Sequence, residues 1–67
     1  MIINGENIKL SVLEKPDIES LLKYYNLNSM RVAIELNGHI IKKSVFNNII
    51  LNDQDVIEII HFVGGGK

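Results

Sequence analysis

The chain has 67 residues, no cysteine and a formal net charge of −1 at pH 7. This length predicts a single domain with one small apolar core and little room for a deep ligand pocket. The balanced charge excludes the basic surface of a nucleic-acid-binding protein, and the lack of cysteine excludes a disulfide or a thiolate metal site. No apolar run reaches the length of a membrane span, and the first residues lack the basic start of a signal peptide. We therefore expect a soluble, cytoplasmic module on which enzymes act.

The first part of the chain is predicted to form a β-hairpin followed by a helix. The hairpin turns at the Asn-Gly pair of residues 4–5, and its second strand extends over residues 8–12, where Ile, Leu and Val alternate with Lys and Ser. The helix is predicted over residues 17–25 because four apolar residues recur there with helical spacing after Pro16. Asn26 is expected to end this helix in the left-handed conformation.

The second half of the chain is predicted to consist mainly of strands. Residues 31–36 and 39–41 form a second hairpin, because the Asn-Gly pair between them favours a type I′ turn. Residues 42–48 are predicted to be an irregular or 3₁₀ crossover that buries its phenylalanine, and residues 49–51 a short edge strand. The last and longest strand is predicted over residues 55–63.

A hairpin, one helix and a long final strand, in this order, are typical of the β-grasp fold. We therefore predict an α+β, ubiquitin-like architecture: a mixed sheet of four or five strands with one helix packed across one face. The first and last strands are expected to lie side by side in parallel at the centre of the sheet. The β-grasp domain is predicted to span residues 1–63, and residues 64–67 form a flexible glycine tail.

One helix covers only one face of a sheet, so the strand pattern predicts an open second face. Side chains alternate between the faces, which places the residues at positions 32, 34, 36, 57 and 59 in the core and those at positions 31, 35, 56 and 58 on the open face. The apolar residues predicted on the open face, beside the start of the tail, are Ala33, Ile40, Ile60 and Phe62. Since exposed apolar patches usually mark binding sites, we predict that these four dock a partner protein. Coverage by a loop or by an oligomer contact is the alternative.

Other polar residues lack the pattern of a catalytic or metal site. His39 and His61 have no second ligand at helical spacing, so structural roles are predicted and no metal site. Asp53 and Asp55 flank a turn and lack the spacing of a calcium loop. With no Ser-His-Asp or Cys-His set evident, no catalytic residue is predicted.

The end of the chain carries the most specific pattern. Three glycines, Gly64, Gly65 and Gly66, follow the last strand directly, and a thread without side chains can enter a channel too narrow for other residues. The ending Val-Ile-Glu-Ile-Ile-His-Phe-Val-Gly-Gly-Gly, with the Ser-Leu-Leu helix at residues 20–22 and the Glu-Leu-Asn-Gly hairpin at residues 35–38, resembles the ThiS family. These proteins are ubiquitin-like sulfur carriers of thiamine biosynthesis.

The resemblance implies a chemical role for the tail. In that family a ThiF-type adenylyltransferase uses ATP to convert the terminal glycine carboxylate into an acyl-adenylate. Sulfur from a sulfur donor protein then replaces the adenylate, and the resulting thiocarboxylate delivers sulfur in a ThiG-type thiazole synthase. The carrier is thus a protein co-substrate and not an enzyme, and it binds no cofactor itself. By this resemblance Gly66 would bear the thiocarboxylate, while Gly64 and Gly65 would form the thread.

Lys67 departs from the family pattern, in which the chain ends in Gly-Gly. While Lys67 is present, Gly66 has no free carboxylate, so we expect a one-residue extension that a peptidase removes. A cloning artefact and an inactive form are the alternatives. Two further interpretations stay open: a sulfur carrier for molybdopterin or cysteine synthesis, and a β-grasp interaction domain whose tail is inert.

Overall fold

The computed structural model describes residues 1–62, so Val63 and the tail predicted at residues 64–67 lie outside the described residues. Five strands and one α-helix are connected by turns and three 3₁₀ segments. In chain order the elements are β1 (Ile2–Ile3), β2 (Glu6–Asn7), a 3₁₀ segment (Leu10–Val12), α1 (Ile18–Tyr24), a 3₁₀ segment (Ser29–Arg31), β3 (Val32–Leu36), β4 (His39–Ile41), a 3₁₀ segment (Lys43–Asn48) and β5 (Val56–His61).

The strands form one mixed sheet in the order β2-β1-β5-β3-β4. At its centre β5 pairs in parallel with β1, where Ile2 lies beside Val56, and antiparallel with β3 on its other side. This arrangement, with α1 on one face, confirms the predicted α+β, β-grasp fold and the predicted central position of the first and last strands. The last strand therefore leads out of the middle of the sheet toward the chain end.

The helix forms where the sequence places a capping residue before an apolar stripe. The side chain of Asp17 accepts a hydrogen bond of 2.8 Å from the backbone N–H of Ser20, which satisfies a free donor of the first turn. Asn26 has a φ of 59°, and the N–H of Leu27 donates to the carbonyl of Leu22 at 2.8 Å. This left-handed end confirms the predicted terminator. The helix bounds agree with the predicted residues 17–25 to within one residue at each end, because Asp17 and Tyr25 are the caps.

The core lies between the helix and one face of the sheet. Its most completely buried side chains are those of Ile3, Ile18, Leu21, Ile34, Leu51 and Ile57. Phe46 joins them from the last 3₁₀ segment, with an exposed fraction of 3%, as predicted for the crossover. Burial of these branched side chains is the main favourable contribution to the stability of so short a chain.

Two of the predicted strand segments are wrong. The second strand ends at Asn7, and Leu10–Val12 forms a 3₁₀ segment in which the N–H of Val12 donates to the carbonyl of Lys9 at 3.1 Å. Residues 49–51 form no strand, because the N–H of Leu51 donates to the carbonyl of Pro16 at 2.8 Å and not to a sheet edge. Both segments are only three to five residues long, and over so few residues an apolar pattern does not distinguish a strand from a turn or an irregular segment.

Both Asn-Gly turns have the positive φ angles of type I′ turns. Asn4 and Asn37 have φ of 49° and 51°, and the glycines that follow, Gly5 and Gly38, have φ of 84° and 88°. Each turn is placed beside β5, one at the end of β1 and the other at the end of β3. The asparagine side chains are therefore close enough to contact the backbone of the central strand.

These asparagine side chains are hydrogen-bonded to the backbone of β5, Asn37 at its first residue and Asn4 in its middle. The amide oxygen of Asn4 accepts from the N–H of Ile59 at 2.7 Å, and its amide nitrogen donates to the carbonyl of Ile59 at 3.2 Å. The amide oxygen of Asn37 accepts from the N–H of Val56 at 2.8 Å, and its nitrogen donates to the buried carboxylate of Asp55 at 3.0 Å. The central strand is thus fixed by side chains as well as by its two neighbouring strands.

Candidate functional site

The open face of the sheet carries the four apolar residues that the sequence predicts for docking. Ala33 on β3 lies directly opposite Ile60 on β5, and Ile40 on β4 lies opposite Glu35, two residues farther along β3. Phe62 follows β5, and its N–H donates to the carbonyl of Arg31 at 2.8 Å. We call the four residues the open-face patch: Ala33, Ile40, Ile60 and Phe62. The structure brings them together, and their docking role stays a prediction.

The exposure of these residues follows from the two-residue period of the strands. Ile57 and Ile59 of β5 face the helix and are buried. Ile60, on the opposite face of the sheet, is 49% exposed. Ile40 is 69% exposed and Phe62 is 54% exposed. Large apolar side chains with this exposure on neighbouring strands form a contiguous surface suited to a protein partner.

The apolar surface extends farther than the sequence prediction. Ile2 on β1 and Val56 on β5 are adjacent in the parallel register and are 38% and 43% exposed. The strand alternation predicted Val56 on this face, whereas Ile2 was missed. Only the register between the first and last strands places Ile2 there, and that register is not encoded in a local pattern. Ile2 and Val56 lie at the end of the face away from the tail.

Two carboxylates lie between these apolar groups. Glu35 on β3 is directly opposite Glu58 on β5, and Glu35 is flanked on its other side by Ile40. Glu35 is half-buried and Glu58 is exposed. Like charges placed directly opposite each other on a sheet face repel and weaken the strand pairing. The open face is therefore apolar with an acidic pair in its middle.

The helix side of β5 carries the histidine nearest the tail. His61 is exposed and lines a shallow pocket of about 170 Å³ together with Asn4, Glu6 and Tyr25. The hydroxyl of Tyr25 is buried without a hydrogen-bond partner within the part of the chain described. Burial raises the pKa of Tyr25, and the carboxylate of Glu6 and the ring of Tyr24 raise it further. Such a neutral phenol packs against the sheet and offers no proton at neutral pH.

The remaining candidate sites are small or scattered. Surface pockets of about 190, 170 and 290 Å³ are all below the size of about 300 Å³ at which ligand pockets usually begin. Over residues 1–62, no three His, Asp or Glu side chains are grouped so that they could hold a metal ion. Within the same residues, no helix has the length and apolarity needed to cross a membrane.

Asp55 and Asp53 contribute to turns. The carboxylate of Asp55 accepts from the N–H of Asn52 at 2.9 Å, and that of Asp53 accepts from the N–H of Leu10 at 3.2 Å. His39 lies exposed on β4, next to the second Asn-Gly turn. These contacts hold loops against the sheet and bring no set of acid and base groups together.

The predicted reactive end, comprising Gly64, Gly65, Gly66 and Lys67, lies outside the described residues. Covalent geometry still limits where it reaches, because four residues of extended chain span at most about 14 Å. Gly66 is four residues beyond Phe62 in the sequence.

Known proteins are similar to this chain over almost its whole length. The family model described as "ThiS family" matches residues 1–66. The sulfur carrier protein ThiS of Bacillus subtilis is 42% identical over 64 residues, covering 96% of this chain and 96% of that protein. The crystal structure of the thiamine biosynthesis protein ThiS from Geobacter metallireducens superposes with a TM-score of 0.75 at 28% identity, covering 96% of this chain and 94% of that one.

A third relative is a much longer protein. The thiazole synthase of Paramagnetospirillum magneticum is 38% identical over 67 residues, which cover 100% of this chain and 20% of that protein. A segment similar to the whole described domain and its tail is therefore one part of a larger chain in that organism.

Proposed function

Because this chain belongs to the ThiS family, the sulfur carriers of thiamine biosynthesis, we propose that Gly66 is its sulfur-bearing residue. In this proposal the Gly66 carboxylate is adenylated, becomes a thiocarboxylate and donates its sulfur for synthesis of the thiamine thiazole. The observation that carries the proposal is the match to the family model, which covers residues 1–66 of this chain and so includes Gly66. The protein acts as a small carrier and not as a catalyst.

The chemistry explains why such a carrier needs an activating enzyme. A carboxylate resists attack by a nucleophile because its negative charge is delocalised and its oxygen is a poor leaving group. Transfer of AMP from ATP forms an acyl-adenylate and releases pyrophosphate. Hydrosulfide supplied by a sulfur donor protein then attacks the carbonyl carbon, the bond from that carbon to AMP breaks, and one proton is lost, which leaves a thiocarboxylate on Gly66. The adenylyltransferase and the donor supply all reacting groups except the carboxylate.

Thiazole synthase is the proposed acceptor of the sulfur. A segment similar to this chain forms one fifth of the thiazole synthase of Paramagnetospirillum magneticum. Two functions joined in one polypeptide work at close range, which supports the proposal that the separate carrier and a separate thiazole synthase bind each other. The open-face patch is the proposed contact surface, because it is apolar, exposed and adjacent to the tail.

Lys67 is proposed to be removed before activation, so that Gly66 gains a free carboxylate. The test compares three purified chains, one ending at Lys67, one at Gly66 and one at Gly65, each incubated with the adenylyltransferase, ATP and a sulfur donor. Intact-mass measurement should show the oxygen-to-sulfur shift in the chain ending at Gly66 only. The chain ending at Gly65 is the matched control, since it retains the domain and a terminal glycine but is one residue shorter.

Two results would contradict the proposal. If protein isolated from its native cells retains Lys67 in every species, removal of Lys67 is wrong. If deletion of residues 65–67 leaves cells independent of added thiazole, the tail is inert and the chain is an interaction domain.

A further inference from the structure

The acidic pair on the open face has no counter-charge in the described part of the protein. Between residues 1 and 62, no hydrogen bond or ion pair ends on the carboxylate of Glu35 or Glu58. Two cations of the chain lie near this face: Arg31, four residues before Glu35, and Lys42, two residues after Ile40. Neither forms an ion pair with Glu35 or Glu58 within residues 1–62.

The position of the pair decides what happens when a partner covers this face. Glu35 lies between Ile40 and Glu58 across the sheet, and Ile60 is the next residue of β5 on the same face. A partner that buries Ile40 and Ile60 also removes water from the two carboxylates between them. Burying a charge without a partner charge is strongly unfavourable, and burying two adjacent like charges is worse. A cation that a docked partner brings to this point would offset that cost.

The geometry of the pair favours arginine for that cation. Directly opposed residues of two strands have Cβ atoms about 5 Å apart, so the two carboxylates are within reach of one planar guanidinium. The guanidinium has five N–H donors in a fixed fork and binds carboxylates through paired hydrogen bonds. Its aliphatic stem can pack on the exposed side chains of Ile40 and Ile60, and the guanidinium is more weakly hydrated than the ammonium group of lysine, so its desolvation costs less.

We propose that Glu35 and Glu58 together bind an arginine side chain on the surface of thiazole synthase. This inference rests on the proposed function, because it assigns a specific contact to the docking surface named there. Thiazole synthase is chosen as the occupant because the comparisons join it to a segment like this chain in a single polypeptide. The repulsion between the two carboxylates in the free carrier is relieved when the guanidinium binds between them.

The test measures binding of the full chain to the thiazole synthase of the same organism by calorimetry, at about 50 mM and about 300 mM salt. The variants are Glu35→Gln, Glu58→Gln and the two combined, with Glu19→Gln on the opposite, helix side as the charge-matched control. The double variant should bind at least about tenfold more weakly at low salt and lose most of the salt dependence. The control should bind within about twofold of the parent chain.

A second measurement separates binding from folding. Removing one of two repelling charges should leave the thermal midpoint of the free carrier unchanged or raise it. Weaker binding with an unchanged or higher midpoint therefore supports the proposal. Weaker binding with a lowered midpoint overturns it, because the pair then serves the fold.

The remaining outcomes separate this inference from the proposed function. If the double variant binds as tightly as the parent or more tightly, while Ile60→Asp abolishes binding, the acidic pair binds no cation and the docking surface stands. If Ile60→Asp also has no effect, docking through the open face is itself wrong. If the double variant forms dimers that the parent does not form, the pair serves to keep copies of the carrier apart, and the proposal is overturned.

Discussion

Asn4 offers the sharpest test of how the central strand is held. Its side chain makes two hydrogen bonds to the backbone of Ile59, and its φ of 49° is a conformation that alanine adopts poorly. Asn4→Gly removes both hydrogen bonds but keeps the turn accessible, whereas Asn4→Ala removes them and adds backbone strain. At about 1 kcal/mol for each hydrogen bond, Asn4→Gly should lower the free energy of unfolding by about 2 kcal/mol.

Asn4→Ala should lower the free energy of unfolding by about 3 kcal/mol, because positive φ costs a residue with a Cβ atom about 1 kcal/mol more. A domain of 67 residues has a total stability of only about 3–10 kcal/mol, so either change is a large fraction. Urea unfolding followed by circular dichroism measures both values, and hydrogen exchange at the amide of Ile59 measures the local effect. The control is Asn47→Ala, an exposed asparagine whose change should stay within about 0.5 kcal/mol.

Either of two results would refute this account of Asn4. If Asn4→Gly is as stable as the parent chain, the side-chain hydrogen bonds contribute nothing measurable to the folded state. If Asn4→Gly and Asn4→Ala are equally destabilised, the positive φ of the turn carries no strain. A change in the slope of the urea transition would show instead that the variant alters the denatured state.

Three further variants test other contacts. Tyr25→Phe should raise the free energy of unfolding by about 1 kcal/mol, because it removes a buried hydroxyl without a hydrogen-bond partner. Burial raises the pKa of Tyr25 in the folded chain, so the unfolded chain loses this proton first and the parent loses stability as the pH rises above about 10 toward the raised pKa. Urea unfolding should therefore show a smaller loss of stability at alkaline pH for Tyr25→Phe than for the parent. Asp55→Ala should lower the free energy of unfolding by about 2–3 kcal/mol, since the N–H of Asn52 and the amide of Asn37 both lose their acceptor; equal thermal midpoints would refute this. Leu51→Ala should cost about 2–5 kcal/mol by leaving a cavity, whereas Ile50→Ala next to it, 77% exposed in the parent, should change the unfolding midpoint little; similar effects of the two would place Leu51 outside the core.

The parts of the fold that the sequence predicts well have strong local signals. The Asn-Gly pairs require positive φ at both positions, and the apolar stripe after Asp17 continues for two helical turns. The segments predicted wrongly, residues 8–12 and 49–51, are too short for a period to be decisive. The N–H of Leu10 donates to the side chain of Asp53, and the N–H of Leu51 donates to the carbonyl of Pro16. These two partners are distant in sequence and become known only when the chain is folded.

In the candidate site, the sequence predicts which face each residue lies on but not every pair of residues that lie opposite each other. The alternation within β5 and β3 indicates which residues face away from the helix, and the second Asn-Gly turn fixes Glu35 opposite Ile40. The register between β3 and β5 depends on no turn, since the chain between these strands is long. For that reason the opposition of Glu35 and Glu58 was not predicted, although each residue was identified on the correct face.

The position of β5 between two other strands has a mechanical consequence for the proposed presentation of the chain end to enzymes. A pull on the tail along the strand axis loads the hydrogen bonds to β1 and β3 together, in shear, so that they must yield simultaneously. An edge strand pulled away sideways would open like a zipper, one bond after another. The side chain of Asn4, bonded to Ile59 near the exit, adds resistance close to where the load enters. The sheet order thus suits a domain that is drawn by one end into a narrow channel while the rest stays folded.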